Sequence, residues 1–189
     1  MIYINDHIDQ FSLDEALLEI SQQRREQALK FKYEQGQRLS VAAYLLLKEG
    51  LRQEYGLTEN PLFGYHEDGK PFIEGHADIH FNLSHCRQAA ICGVSHRPIG
   101  VDVESIREFR DSLVDYTMSE EEARRIRQSA RPSVEFIRLW TMKESLLKLS
   151  GEGIRKNLKD VLTEAGEQVT FTTVVNIQKQ YIYSICEYR

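Results

Sequence analysis

Leu139-Trp140-Thr141-Met142-Lys143-Glu144-Ser145-Leu146-Leu147-Lys148 decides how the rest of the chain is read. Ser133, behind Pro132 and ahead of Glu135, has the chemistry of an N-cap, and Gly151 and Gly153 are stop signals, so one helix is expected here. Wound at about 100° per residue, it carries Phe136, Leu139, Trp140, Leu146 and Leu147 on one apolar face. Lys143 falls in the middle of that face, with Glu144 and Lys148 one turn apart along its edge. A lysine at the centre of a core stripe is costly unless a counter-charge or a solvated cleft receives it.

Plainer readings of the same residues stand beside this one. Glu144 and Lys148 have the spacing and order of a surface ion pair, worth roughly 0.3–0.5 kcal/mol. Lys143 can snorkel from a shallow face, and Trp140 can be core. Charges elsewhere in the chain have to decide.

With 189 residues and 41% hydrophobic content, the chain can build one core or two small halves sharing an interface. A net charge of -5 and a pI near 5.7 argue against a general nucleic-acid binder. Cys86, Cys92 and Cys186 are odd in number and form no CxxC or zinc-ligand spacing, which fits free thiols in a reducing cytoplasm. No signal peptide and no apolar run of membrane-spanning length is visible, so neither secretion nor a membrane partner is expected.

The pattern along the chain is α+β. A short strand at 2–4 precedes a helix opened by the capping box Ser12-Leu13-Asp14-Glu15. A basic run from Arg24 to Lys32 follows, and Leu39 to Leu51 keeps a helical period up to Gly56. Asp68-Gly69-Lys70-Pro71 is a turn between short extended pieces. From Ile79 the period becomes two, and 79–84, 89–94 and 99–103 read as a three-stranded antiparallel meander. Residues 105–132 read as polar and irregular, except for a short Arg-rich helix opened by the capping box Ser119-Glu120-Glu121-Glu122. Val169 to Val175 and Tyr181 to Tyr188 close the chain as a hairpin. Arg38–Lys48 overlays Arg138–Lys148 without gaps, an internal echo in which helix then strands describes each half.

In the last strand of the meander Ile99, Val101 and Val103 face the core, which places Asp102 and Glu104 on the opposite, solvent-facing side, about 6.6 Å apart along the strand. Two such carboxylates repel unless a cation joins them. As hard oxygen donors they suit Mg²⁺, and with Glu144 and the two lysines of the central helix they describe phosphoryl chemistry. An isolated D-x-E is also a common solvated pattern, and no Walker loop or GxGxxG is present.

The order of motifs is more specific. Gly69-Lys70-Pro71, Phe81-Asn82-Leu83-Ser84-His85, Pro98-Ile99-Gly100-Val101-Asp102-Val103-Glu104 and Trp140-Thr141-Met142-Lys143-Glu144-Ser145 with Lys148 together resemble the 4'-phosphopantetheinyl transferase superfamily, in its surfactin-synthetase-activating branch. The resemblance implies transfer of the phosphopantetheine arm of coenzyme A to a serine of an acyl or peptidyl carrier protein. It implies Mg²⁺ on Asp102, Glu104 and Glu144, with Glu144 in reach of the serine proton and Lys148 at the departing phosphate. It also implies Lys143 on the coenzyme phosphates, Ser84 and His85 on the pyrophosphate, Lys70 and Pro71 at the adenine, and Arg38 with Lys30 or Lys32 at the 3'-phosphate.

The fold implied is two similar α+β halves, each a helix on a small antiparallel sheet, related by pseudo-twofold symmetry. Residues 1–100 would hold the nucleotide contacts and 101–189 the metal and catalytic helix, in a cytoplasmic monomer. Two rivals are another Mg²⁺-dependent phosphotransferase or pyrophosphatase, and a non-catalytic coenzyme A-binding module. Carrier docking is expected on the arginines of 124–138, because an acidic enzyme needs a local basic patch to meet an acidic partner.

Overall fold

The computed structural model describes residues 1–151 and 157–189; Gly153, one of the expected stop signals, lies outside the described residues. The first half contains β1 (Ile2–Asn5), α1 (Leu13–Glu19), α2 (Gln22–Leu29), α3 (Glu34–Tyr55), β2 (Phe63–Tyr65), β3 (Pro71–Ile73), β4 (His80–His85) and β5 (Ala90–Ser95). The second contains β6 (Ile99–Ser105), α4 (Asp111–Thr117), α5 (Glu120–Gln128), α6 (Pro132–Ser150), α7 (Val161–Ala165), β7 (Val169–Asn176) and β8 (Tyr181–Tyr188). Among the described residues no helix is long and apolar enough to cross a membrane.

The two three-stranded sheets repeat one topology. In each, a strand precedes the long helix and a hairpin follows it, and the last strand lies between the other two: β1-β5-β4 and β6-β8-β7. All pairs are antiparallel. Helix α3 covers the first sheet through Val41, Tyr44, Leu47 and Leu51, which pack with Phe81, Cys92 and Val94. Helix α6 covers the second so closely that a Cβ on Gly100 would stand 1.9 Å from the Ser145 carbonyl oxygen, so only glycine admits the helix there.

The expected meander is corrected at its third strand. β4 and β5 pair, but β6 pairs with β8 along seven registers instead of with β5. Its free edge turns to β4 and is satisfied by side chains. The Val101 N–H donates to Asn82 Oδ1 at 2.8 Å and the Val103 N–H to Ser84 Oγ at 3.3 Å. Asn82 and Ser84 therefore replace a backbone ladder where the halves meet. Ile99, Val101 and Val103 fill the seam with Ala89, Ile91 and Tyr181.

Smaller differences have local causes. α6 begins at Pro132 with Arg131 at its cap, not at Ser133, since proline needs no acceptor for its missing N–H at the first helical position. Residues 111–117, expected to be irregular, form α4, held by the burial of Val114 and Thr117. The Ser119 capping box forms in full, and Gly56 and Gly151 end α3 and α6 at φ of 69° and 76°.

Candidate active site

The face of β6 opposite Val101 and Val103 is covered by α6. Asp102 is therefore only 4% exposed, which corrects the expected solvent-facing position. Its Oδ1 accepts from Lys148 Nζ at 2.6 Å and from Ser84 Oγ at 2.9 Å, while Lys148 Nζ also donates to Ser84 Oγ at 3.0 Å. This knot joins β4 of the first half to β6 and α6 of the second. Among the described residues, Asp102 Oδ2 and Glu144 Oε1 are buried with no hydrogen-bond partner.

Burial, and after it the nearby Asp102 carboxylate, holds both Glu104 and Glu144 above the usual glutamate range. An orphaned oxygen on each of two acids, beside a third acid, is the donor chemistry of a hard divalent cation, which typically takes one or two carboxylates and completes its shell with water and phosphate. Among the described residues no three acids, histidines or cysteines stand as a ready-made metal cluster, and Lys148 occupies one oxygen of Asp102. Asp102, Glu104 and Glu144 nevertheless fit Mg²⁺ by charge, hardness and vacant lone pairs.

The raised values have a sign in stability. The folded chain holds these protons more tightly than the unfolded chain, so their contribution is full below the usual glutamate range and is lost as the pH climbs through the raised values. Without divalent metal, Glu144→Gln is expected to raise the melting temperature by a few degrees at pH 8 and hardly at pH 4. Thermal melts at the two pH values check this; equal shifts would show that Glu144 is not strained by charge.

Lys143 is placed elsewhere. At about 100° per residue it lies about 140° around the helix from Lys148 and so faces away from Asp102. Its side chain is 0% exposed, and Nζ donates to Glu122 Oε2 at 2.7 Å, the Thr117 carbonyl at 3.0 Å and the Leu158 carbonyl at 2.6 Å. The same Glu122 oxygen accepts the Ser119 N–H at 2.7 Å and closes the capping box. A counter-charge thus receives the lysine, not a cleft, and all three of its donors are engaged within the protein rather than turned toward Asp102.

The other expected residues are spread around the seam. His85 ends β4 with its ring edge on Phe31, and burial together with Lys148 depresses its pKa. It shares a crevice of about 410 Å³ with Lys32, Gly36 and Arg87. Arg87 was missed by the sequence reading; only its place two residues after His85 marks it. Arg38 lies apart, donating to the Phe11 carbonyl at 2.7 Å and to Glu34 at 2.8 Å. From the β2–β3 hairpin, which Pro71 enters, Lys70 donates to the Leu149 carbonyl at 2.9 Å, tying the first half to the end of α6.

The arginine patch is weaker than its composition suggests. Arg125 and Arg138 share Glu135, and Arg127 pairs with Asp115, so two carboxylates already engage three of the five arginines. A groove of about 650 Å³ starts at Glu104 and runs along Trp140, Phe109 and Leu113.

Sheets, seam and buried carboxylates together describe an α+β protein whose two small antiparallel sheets meet beside an acid cluster. The family model of the 4'-phosphopantetheinyl transferase superfamily matches residues 98–186, the segment that carries Asp102, Glu104, Glu144 and Lys148. A 4'-phosphopantetheinyl transferase of Bacillus subtilis is 25% identical over 98% of this chain and 89% of its own. The 4'-phosphopantetheinyl transferase gsp of Aneurinibacillus migulanus is 36% identical over 61% of this chain and 49% of its own, and HetI of Nostoc is 33% identical over 66% and 54%. The chain is thus similar to 4'-phosphopantetheinyl transferases over nearly its whole length and matches the superfamily's model across residues 98–186.

Proposed function

We propose that this protein transfers the 4'-phosphopantetheine arm of coenzyme A to a serine of an acyl or peptidyl carrier protein. The observation that carries the proposal is the knot of Ser84, Asp102 and Lys148 at the seam, beside the orphaned oxygens of Asp102 and Glu144. Coenzyme A lies between the halves, with the nucleotide on residues 1–100 and the reacting phosphate on 101–189, and the repeated topology corresponds to a pseudo-twofold arrangement within a cytoplasmic monomer.

Asp102, Glu104 and Glu144 would hold Mg²⁺, which when bound would supply charge neutralisation at the pyrophosphate. Glu144 takes the serine proton, and the serine oxygen bonds to the phosphorus that carries the pantetheine arm. The bond from that phosphorus to the bridging oxygen breaks, and adenosine 3',5'-bisphosphate leaves. Lys148 stabilises or protonates the departing oxygen, and Ser84 and His85 orient the pyrophosphate. Lys70 and Pro71 border the adenine, while Lys32 and Arg38 belong to the 3'-phosphate region. The groove beside Glu104 and Trp140 gives the carrier serine its approach.

Mass spectrometry of apo carriers incubated with coenzyme A and Mg²⁺ tests this: the carrier gains one phosphopantetheine. Loss of phosphate from coenzyme A with no carrier modified would favour the phosphotransferase or pyrophosphatase reading, and binding without turnover the non-catalytic module. Dephospho-coenzyme A is expected to bind at least about tenfold more weakly than coenzyme A, the loss of one charge-assisted contact. Equal affinities by calorimetry would remove the 3'-phosphate region from Lys32 and Arg38.

A further inference from the structure

The acid proposed to take metal and the base proposed to face the departing phosphate are bonded to each other. Lys148 Nζ stands 2.6 Å from Asp102 Oδ1, and the lysine side chain remains 28% exposed, so a route to solvent is open to it. Ser84 Oγ touches both partners. The remaining oxygen of Asp102 is buried without a partner among the described residues, as is Glu144 Oε1. The site therefore holds one internal cation for three crowded carboxylates, and that cation is a group the reaction needs elsewhere.

We propose that Lys148 is a place-holding cation for Asp102, given up when a divalent metal takes that carboxylate, so that metal loading itself frees the lysine for the leaving phosphate. This rests on the transfer reading for its purpose but concerns only the exchange of partners at Asp102. A divalent ion has a stronger claim on the carboxylate than a singly charged ammonium that is partly exposed, whose pairing is weakened by water. Lys148 needs no backbone movement to leave, since it projects from the fixed helix α6 on a flexible stem. Arg107, 4.0 Å from Glu104 and far more exposed, is a positive charge near the acids that does not touch Asp102.

The test is calorimetric titration of the full-length protein with Mn²⁺ in the absence of coenzyme A. Removing a competing charge-assisted bond in Lys148→Ala is expected to tighten Mn²⁺ at least about tenfold. Lys148→Arg, which keeps a cation on Asp102, should bind like the wild type, and Arg107→Ala should tighten no more than about threefold.

In wild type, a brief pulse of amine acetylation read by peptide mass spectrometry is expected to label Lys148 increasingly as Mn²⁺ is added, with a midpoint at the calorimetric Kd. Lys143 and Lys179 should keep constant labelling. Equal Mn²⁺ affinity in wild type and Lys148→Ala, binding by neither, tightening in Arg107→Ala as large as in Lys148→Ala, or metal-independent labelling of Lys148 would each overturn the exchange. Conversion of an apo carrier is scored separately: exchange without conversion sinks the transfer reading alone, and conversion without exchange sinks this inference alone.

Discussion

Asp102→Asn is expected to lower carrier modification about 10²–10³-fold at saturating Mg²⁺ and coenzyme A while shifting the melting temperature by no more than a few degrees. The loss in rate follows from removing a hard anionic ligand from a site where charge neutralisation does most of the work. The small change in stability follows from opposed effects. Asparagine gives up the ion pair with Lys148, yet its oxygen still accepts from Ser84, and Lys148 can turn to water. The substitution also relieves the repulsion that Asp102 exerts on Glu104 and Glu144 and removes a buried carboxylate oxygen that has no partner among the described residues. Carrier modification within severalfold of wild type at saturating Mg²⁺ would take Asp102 out of the metal site.

Lys143→Met is expected to do the opposite, damaging the fold first and the chemistry only through it. The side chain is completely buried, and its removal strands Glu122 and the carbonyls of Thr117 and Leu158. Breaking one side of a buried pair costs about 3–5 kcal/mol. In a chain of this size that is a fall in melting temperature of about 10 °C. Adding Glu122→Gln should restore part of it, because the uncompensated charge is then gone and glutamine can keep the Ser119 N–H. Coenzyme A affinity of the folded fraction should be unchanged. Weakened coenzyme binding at full stability would return Lys143 to the phosphates.

The two lysines of one helix show where the sequence reading stops. Their positions within α6 follow from the helical period, and so does the conclusion that Lys143 needs a partner. The partner is Glu122, 21 residues away, whose place is fixed by a capping box that the sequence shows and by a packing of α5 on α6 that it does not. Glu122 could be read as a capping residue from its local spacing with Ser119. Its second duty needed the tertiary fold.

The sequence by itself determined the elements with strong local causes: the caps of α1 and α5, the left-handed stops at Gly56 and Gly151, the turn at Gly69, the closing hairpin, and the common face of Asp102 and Glu104. Each depends on neighbours within a few residues, where spacing and backbone preference suffice. Its motif order also carried the family resemblance. Tertiary structure alone decided that β6 leaves β5 for β8, that α6 covers the acidic face of β6, and that Glu135 and Asp115 engage three arginines of the basic patch. Strand alternation separates apolar from polar faces but does not name the neighbour on either; that choice comes from long-range pairing and packing, which here close the seam with Asn82 and Ser84 and put Lys148 on Asp102.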